Sequence, residues 1–365
     1  MAIITQNASP DLPPPSSDIG LKGWLKQNLF SNALNSAITI MLLIALLAML
    51  IPLVRWAFID ADWLGTTRED CTSGGACWVF VSVHFNQFMY GLYPATEYWR
   101  INLAGFILVL TLLALMIRGV PGKKYITLFA LLIFPIIVFY LFAGGRFGLE
   151  PVETSLWGGL SLTLVLAIVG IVASLPLGIL LALGRRSDMP IVRAVCVAFI
   201  EIWRGVPLIT VLFMASVMLP LFLPEGMNFD KLIRALVGIV LFQSAYMAEV
   251  IRGGLQAIPK GQYEAAQALG LSYWQSMYKV ILPQALKLVI PGIVNTFISL
   301  FKDTTLVMII GLFDLLGIIQ AAFSNPDWLG YSIEGYAFAA LVFWIFCFGM
   351  SRYSQSVERK LNTGY

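Results

Sequence analysis

Long apolar stretches separated by polar loops dominate the pattern of the chain. An uncharged apolar run of about 18 or more residues is long enough to cross a bilayer core, and about eight runs meet this criterion. They lie near residues 37–54, 101–117, 125–143, 156–183, 190–223, 232–250, 288–313 and 336–351. We predict that all of them are helices, because lipid offers no hydrogen-bond partner to an open backbone. The runs lack the short alternating segments of a β-barrel.

The composition agrees with a protein embedded in a membrane. Apolar residues make up 59% of the chain and charged residues only 12%, whereas soluble domains have about 25% charged residues. So few polar groups cannot cover a water-soluble globule of this length. The sequence therefore predicts an all-α integral membrane protein in contact with the lipid bilayer. The net charge of +3 does not indicate nucleic-acid binding.

Basic residues indicate the orientation of these helices. Lysine and arginine are concentrated before the first helix, in alternate loops and at the C-terminal end, whereas acidic residues predominate in the remaining loops. Because cytoplasmic loops are enriched in Lys and Arg, both termini are predicted to be cytoplasmic. The polar, Pro- and Ser-rich start lacks the apolar run of a secretory signal and is predicted to be a cytoplasmic tail.

The pattern predicts four regions, with the main division near residue 150. Residues 1–36 form a cytoplasmic tail, and residues 37–150 form a three-helix extension with a periplasmic loop at 55–100. Residues 151–355 hold five helices, and residues 356–365 form a second cytoplasmic tail. The loop 55–100 is rich in aromatic residues, for which we favour an aromatic belt at the membrane interface over a docking surface for a periplasmic partner.

Cysteine and histidine usage bears on redox and metal chemistry. Cys71 and Cys77 share the polar loop, where a periplasmic location would permit a disulfide. Cys196 and Cys347 lie in apolar runs and are predicted to be small packing residues. The single histidine, His84, has no second histidine to complete a zinc site, so no metal is predicted.

The most informative segment is the polar loop from Ile258 to Pro283, after the sixth helix. Its first half is rich in Ala, Gln and Glu, and Gly270 is placed to end a short helix there. Ser272, followed three residues later by Gln275, is a capping-box start for a second helix, which Pro283 is expected to stop. Helical spacing predicts one apolar face on that helix, formed by Trp274, Met277, Tyr278, Ile281 and Leu282.

Physical reasoning leaves two interpretations of this segment open. A compact knob with an apolar face can enter a groove of another protein, and an amphipathic helix can also lie on lipid. The run Glu264-Ala265-Ala266, then Gly270, then Ile281-Leu282-Pro283, resembles the EAA loop of ABC importer permeases. In that family this loop is the coupling helix that docks into the ATPase subunit. The resemblance implies ATPase-coupling roles for Glu264, Ala265, Ala266, Gly270, Leu282 and Pro283.

The resemblance covers about residues 150–355 and implies the five-helix core of a type-I ABC permease. The segments Trp203–Pro207 and Phe301–Leu306 look like stretches of polar amino acid permeases, with Val206 in place of Thr and Thr305 in the Ser position. The extension is similar to that of general L-amino acid permeases, which use two different permease chains. The resemblance thus implies the permease subunit of an ATP-driven importer of L-amino acids in a bacterial inner membrane.

The resemblance also implies the partners. ATP and Mg²⁺ are expected on a separate ATPase dimer, and this chain is predicted to be neither an enzyme nor a cofactor carrier. Its nearest Gly-Lys pair, Gly122-Lys123, lacks the spacing of a phosphate-binding loop. A second permease subunit, related in sequence, and a periplasmic amino-acid-binding protein are expected to complete the transporter.

Polar residues inside the predicted helices are candidates for a substrate path. Charges within a membrane are costly and usually face a cavity or a partner, and a zwitterionic amino acid needs polar groups to replace its water shell. We assign this role to Gln243, Tyr246, Glu249, Asp303 and Thr304. The structural alternative is that Glu201 with Arg204, and Lys302 with Asp303, form pairs that brace helix ends.

Other functions fit parts of the pattern. A secondary transporter would use an ion gradient through broken helices, but it has no need of the knob. A membrane-embedded enzyme would need paired histidines or a metal cluster, which a single histidine disfavours. Within the ABC class, an exporter or a permease for another small polar solute is the alternative.

Overall fold

A computed structural model describes residues 20–117, 119–222, 224 and 229–361. Within these ranges the chain is nearly all helical, and isolated bridges are the only β-structure. Seven helices are long and apolar enough to cross a membrane, or eight if a bent pair counts as one span. The predicted all-α membrane architecture is confirmed. The outer parts of the two predicted tails, at 1–19 and 362–365, lie outside the described residues.

The chain divides into two units, and the first ends at Val79. It contains α1 (Gly20–Asn28) and α2 (Ala33–Val54), and α2 runs on into a π turn at Arg55–Ile59. No residue of α2 is buried. A helix that is apolar on all sides and uncovered by protein is what lipid requires.

The polar loop that follows α2 is folded against itself. Cys71 and Cys77 are joined as a disulfide, in the pairing suggested by the sequence. Backbone N–H groups of Thr66 and Thr67 donate to the Asp70 carboxylate at 2.8 and 2.9 Å. These hydrogen bonds, with a further one from the Thr67 hydroxyl, hold the pKa of Asp70 below its usual range, because they stabilise the charged form.

Aromatic side chains of this loop pack on one another. Trp78 lies between Trp56 and Trp63, with ring centroids 6.5 and 5.7 Å away. Its indole N–H donates to the carbonyl of Ala57 at 2.7 Å. Such a cluster satisfies the polar end of the indole while covering its apolar body. This packing gives the loop a small core of its own.

The second unit begins at Phe80. Its first helices are α3 (Val79–Tyr90), α4 (Tyr98–Met116), α5 (Lys123–Leu128) and α6 (Phe134–Ala143), with a π turn joining the last two at Phe129–Ile133. The region 55–100 was predicted as one loop, and α3 corrects this. Its 12 residues are too few to span a bilayer, so α3 does not form an apolar run of the length that predicts a membrane helix.

A close backbone contact joins α3 to the five-helix core. Gly91 follows α3 in the left-handed conformation, with φ of +69°. A Cβ at this position would lie 2.3 Å from the Cα of Gly158, which no side chain can tolerate. Only glycine allows this approach. The contact places α3 against the start of the core.

Among the described residues the core contains ten α-helices, which include its five spans when the bent pair is counted as one. They are α7 (Gly159–Arg185), α8 (Pro190–Gly205), α9 (Leu208–Phe213), α10 (Lys231–Ala257), α11 (Lys260–Ala268), α12 (Tyr273–Ser276), α13 (Leu282–Leu288), α14 (Ile290–Asp303), α15 (Leu315–Phe323) and α16 (Ser332–Leu361). Tighter or wider turns continue several of them, at Met214–Met218, Leu219–Phe222, Met277–Ile281 and Thr304–Ile310.

Small residues allow α7 to lie close to its neighbours. A Cβ on Gly178 would lie 2.7 Å from the side chain of Met247 on α10, and one on Gly170 would lie 2.8 Å from Leu300 on α14. Close approach through small residues is how membrane helices gain packing contacts without a hydrophobic driving force. α7 and α10 therefore form the central pair of the core.

A sharp bend separates α8 from α9. The two helix axes differ by 102°, and the break falls at Val206-Pro207. Val206 is extended, with φ of −114° and ψ of 139°, because the ring of a following proline disfavours helical backbone at that residue. Pro207 then begins α9, where its missing N–H is not needed.

A buried acid starts α15. Asp314 is fully buried, and its Oδ1 accepts the N–H of Gly317 at 2.9 Å. Its other carboxylate oxygen has no hydrogen-bond partner among the described residues. Burial raises the pKa of Asp314 to about 6, since removal from water disfavours the charged form.

Candidate functional site

The segment after α10 forms a compact two-layered element, which we call the knob (Lys260–Leu288). Its first helix, α11, ends at Gly270, whose left-handed φ of +72° is the usual helix stop. The N–H of Leu271 reaches back to the carbonyl of Ala266 at 3.2 Å. Gln275 accepts the N–H of Ser272 at 3.1 Å in a capping box. The two short helices and their predicted caps are thus present.

The second layer of the knob is longer than the sequence suggested. Pro283 was expected to stop the second helix, but the helix continues through it to Leu288. A π turn at Met277–Ile281 precedes the proline. This wider turn re-registers the backbone hydrogen bonds, so Pro283 falls at the start of α13, where a proline needs no N–H partner.

Polar contacts hold the knob to the core. The hydroxyl of Tyr263 donates to the carbonyl of Leu255 at 3.2 Å, and Arg186 at the end of α7 donates to both groups at 3.1 and 2.9 Å. Gln284 donates to Gln262 at 3.1 Å, which joins the two layers. The knob is therefore fixed in position rather than tethered by a loose loop.

The predicted apolar face of the knob divides into two parts. Met277 and Ile281 are 8% and 0% exposed and pack into the chain's own core, so they are not available to a partner. Trp274 and Tyr278 are 66% and 77% exposed, and Leu269 is 78% exposed. The sequence period did not distinguish these two sides. The outward side is what another protein can contact.

The residues with predicted coupling roles occupy both sides. Glu264, Ala265, Gly270 and Pro283 are exposed, whereas Ala266 is buried. Leu282 is partly buried and packs against the core cluster. Ala266 is 2% exposed, so its methyl group packs within the chain rather than on a partner. The four exposed residues are the ones able to contact a partner directly.

Ion pairs join three helices close to the knob. The Glu249 carboxylate on α10 lies 2.7 Å from Arg185 at the end of α7 and 2.9 Å from Arg252. Arg204, at the end of α8, lies 3.7 Å away. Arg185 also pairs with Glu201 at 3.1 Å. The predicted Glu201–Arg204 pair is therefore replaced by contacts to other helices.

Arg185 was not singled out in the sequence. It lies in a set of basic residues that had been read only as a sign of membrane orientation. A signal was present, because charged residues within membrane helices usually pair with one another, and Arg185 lies at the last turn of the apolar helix α7. Arg204 additionally lies over the ring of Tyr246, 5.7 Å from its centroid.

The remaining substrate-path candidates have different surroundings. Gln243 is buried and donates to the carbonyl of Thr296 at 2.8 Å, which joins α10 to α14. Thr304 is also buried and donates to Phe301 at 2.8 Å. Asp303 is partly buried and forms no ion pair with Lys302 among the described residues. A path shared by all the candidates stays a prediction.

Comparison with known proteins gives a consistent result. Residues 174–363 match the family described as binding-protein-dependent transport system inner membrane component. The chain is 61% identical to the inner membrane amino-acid ABC transporter permease protein YhdY of Escherichia coli K12, over 93% of each chain. It is 40% identical to the glutamate/glutamine/aspartate/asparagine transport system permease protein BztC of Rhodobacter capsulatus, over 96% of this chain and 95% of that one.

A solved structure extends the comparison to the fold. An amino acid ABC transporter crystallised with histidines covers 55% of this chain and 92% of its own, with 31% identity and a TM-score of 0.50. The matched family region, 174–363, contains the knob, the ion pairs around Glu249 and all five substrate-path candidates. The shared region is therefore the part of the chain that holds the candidate site.

Proposed function

Because the chain belongs to the family of binding-protein-dependent transport system inner membrane components, we propose that it is the permease subunit of an ABC importer that carries L-amino acids across a bacterial inner membrane. The resemblance of the chain to ABC importer permeases is confirmed by the family match and by its relatives. Two relatives that align over nearly the whole chain are named as amino-acid permeases. Their names support amino acids over another small polar solute.

The observation that carries the proposal is the exposed side of the knob. Trp274, Tyr278 and Leu269 present large apolar surfaces to solvent on an element that is otherwise capped and hydrogen-bonded. Exposed aromatic side chains on a rigid support are typical anchors of protein interfaces. The proposed occupant of this surface is a cleft on a separate ATPase, which binds ATP and Mg²⁺ and supplies the energy for transport.

A complete transporter requires further subunits. A single chain with one knob engages one ATPase protomer, so an ATPase dimer calls for a second permease, either a copy of this chain or a related one. A periplasmic amino-acid-binding protein delivers the substrate at the opposite side of the membrane. If the bent pair is one span, six spans precede the knob and two follow it, and with the knob on the cytoplasmic side these even numbers support a cytoplasmic location for both termini.

Within the membrane, Asp303 and Glu249 are the proposed polar contacts for substrate. Among the described residues Asp303, on α14, forms no ion pair, whereas Glu249 already balances three arginines. Asp303 is thus the cleaner test, because its replacement breaks no ion pair in the described chain. Gln243, Tyr246 and Thr304 would shape the path through the contacts described above.

The proposal is tested by reconstitution. The chain is assembled with its ATPase, second permease and binding protein in proteoliposomes, and ATP-dependent uptake of labelled amino acids is measured for the wild type and for Asp303→Asn and Glu249→Gln. A changed preference or affinity with intact basal ATP hydrolysis is expected. Glu358→Gln, an exposed acid near the end of α16, is the control. Failure of the wild-type complex to take up any amino acid would refute the proposed function, and unchanged kinetics in both variants would return Asp303 and Glu249 to structural roles.

A further inference from the structure

A pocket of about 410 Å³ opens on the core at Val152, Glu153, Thr154, Asp230, Lys231 and Leu312, and we call it the outer pocket. Its volume is within the range of sites that hold small molecules. Val152 and Leu312 are buried and form an apolar floor. The rest of the lining is mostly polar and includes three charged residues, Glu153, Asp230 and Lys231, so the pocket combines an apolar surface with charged groups, as ligand sites do.

The outer pocket lies at the end of the core opposite to the knob. Lys231 is the first residue of α10, and the knob follows the last residue of that helix, Ala257. A helix of this length spans about 40 Å, at about 1.5 Å per residue. Leu312 likewise follows the end of the α14 segment farthest from the knob. In the proposed topology this is the periplasmic mouth.

Asp230, one of the three charged residues of the outer pocket, already makes hydrogen bonds within the protein. Asp230 caps α10, with Oδ1 accepting the N–H groups of Leu232 and Ile233 at 2.8 and 3.3 Å. Its Oδ2 accepts the hydroxyl of Thr154 in a short hydrogen bond. Both carboxylate oxygens therefore have partners. Asp230 holds the segment before α7 against α10 and fixes the shape of the pocket.

The other two charged residues are differently placed. Glu153 accepts one hydrogen bond, from the Ser155 hydroxyl at 3.1 Å. The Lys231 ammonium lies beside Gly311, 3.6 Å from where a Cβ would be. Among the described residues, neither Glu153 nor Lys231 forms an ion pair. One pocket thus holds a carboxylate and an ammonium group that do not neutralise each other.

We infer that the outer pocket binds a free L-amino acid through its α-ammonium and α-carboxylate groups, before the amino acid enters the membrane. Lys231 contacts the α-carboxylate and Glu153 the α-ammonium, as charge-assisted hydrogen bonds. The side chain of the amino acid rests on Val152 and Leu312. This inference rests on the proposed function, and it adds a site at which this chain itself recognises the substrate.

The pairing of charges favours an amino acid over a side chain of the binding protein. A lysine or aspartate from a docking protein would match one of the two pocket charges and leave the other unpaired and partly desolvated, which is unfavourable. A zwitterion matches both at once. Because the contacts are to groups that all amino acids share, the site does not select among side chains.

The experiment measures direct binding. The complex of both permeases and the ATPase, without the binding protein, is placed in lipid nanodiscs, and equilibrium binding of tritiated L-glutamine is measured. The wild type is compared with the neutral variants Glu153→Gln and Lys231→Gln. It is also compared with the charge reversals Glu153→Lys and Lys231→Glu, made singly and together. Controls are Glu150→Gln and Lys124→Gln, exposed residues outside the pocket. N-acetyl-L-glutamine, which lacks the ammonium group, serves as a competitor. Basal ATP hydrolysis checks that each variant is folded.

We expect each single variant to weaken binding by about tenfold or more, the controls to match the wild type, and the double reversal to recover most of the affinity. N-acetyl-L-glutamine should not compete. Wild-type affinity in both single variants would overturn the inference. So would variants that bind normally but lose uptake driven by the binding protein, because this outcome identifies a protein contact. If wild-type complexes take up amino acids but show no direct binding, only this inference fails.

Discussion

Replacement of Gly270 by tryptophan is expected to uncouple ATP hydrolysis from uptake. Gly270 has a φ of +72°, and apart from Gly270 and its two neighbours no atom of the described residues lies within 4 Å of the position that a Cβ would take. An L-residue in this conformation costs about 1–2 kcal/mol of local strain, and asparagine costs less. An added indole would project into open space on the exposed side of the knob. Its bulk can therefore collide only with a partner.

A graded series separates strain from bulk. Gly270→Asn adds little backbone strain and little bulk, and Gly270→Ala adds strain without bulk. Gly270→Trp adds both backbone strain and a bulky side chain. The ratio of amino acid taken up to ATP hydrolysed, measured in proteoliposomes, should be nearly normal for the first two. For Gly270→Trp it should fall by about tenfold or more, because the indole obstructs docking of the ATPase on this surface.

Gly148→Trp is the matched control for this series. Gly148 also has a left-handed φ, of +77°, and apart from its two neighbours no described residue has an atom within 4 Å of a Cβ there, but Gly148 lies in the loop before α7. It carries the same strain and bulk without proximity to the knob, so its uptake ratio should stay near that of the wild type. Normal coupling in Gly270→Trp would contradict the proposed docking of this surface. Equal losses in the alanine and tryptophan variants would assign the effect to the backbone instead.

Three further outcomes are expected. Reporter fusions at Gly75 and at the C-terminus should give opposite readouts for periplasmic and cytoplasmic location, and identical readouts would contradict the eight-span topology. Cys71 and Cys77 should resist alkylation in intact cells until a reductant is added, whereas immediate labelling of both would argue against a periplasmic disulfide. Burial raises the pKa of Asp314 from 3.8 to about 6, so the folded state binds a proton more tightly than the unfolded state. As the pH rises from about 4 to 6, the free energy of unfolding should therefore fall by an amount on the order of 3 kcal/mol. Asp314→Asn keeps the helix cap but cannot ionise, so the difference in melting temperature between variant and wild type should grow over this pH range, and a constant difference would show that Asp314 does not titrate there.

The long helices could be predicted because lipid imposes a simple requirement on them. A run that crosses the bilayer must be apolar and helical over its whole length, and this pattern is visible in one sequence. α3 could not be predicted in this way, because its 12 residues are too few to cross a bilayer. Its position depends instead on the contact of Gly91 with Gly158. Short helices held by tertiary packing carry little periodic signal.

The knob shows the same limit at the scale of side chains. Helical spacing correctly placed Trp274, Met277, Tyr278 and Ile281 on helical turns, but spacing alone does not say which apolar side meets the chain's own core. Met277 and Ile281 lie in the π turn at Met277–Ile281 and are buried, and nothing in the residue types marks such a turn. It also allows Pro283 to lie within a continuing helix.

Polar contacts, together with the backbone bond between Arg185 and Arg186, connect the knob to the bend between α8 and α9. Tyr263 of the knob bonds Arg186, whose neighbour Arg185 bonds Glu249 on α10. Glu249 in turn holds Arg204, two residues before the break at Val206. The Glu249 carboxylate is the shared partner of Arg185, Arg204 and Arg252, whose side chains are only partly buried. A partner that moves the knob must therefore shift the ends of α7, α8 and α10 together or break these pairs. The closeness of Glu201 and Arg204 in the sequence suggested a local ion pair between them. The structure instead pairs Arg204 with Glu249 on α10, so Arg204 links the knob's network to the bent pair α8 and α9, the one broken span that the structure describes.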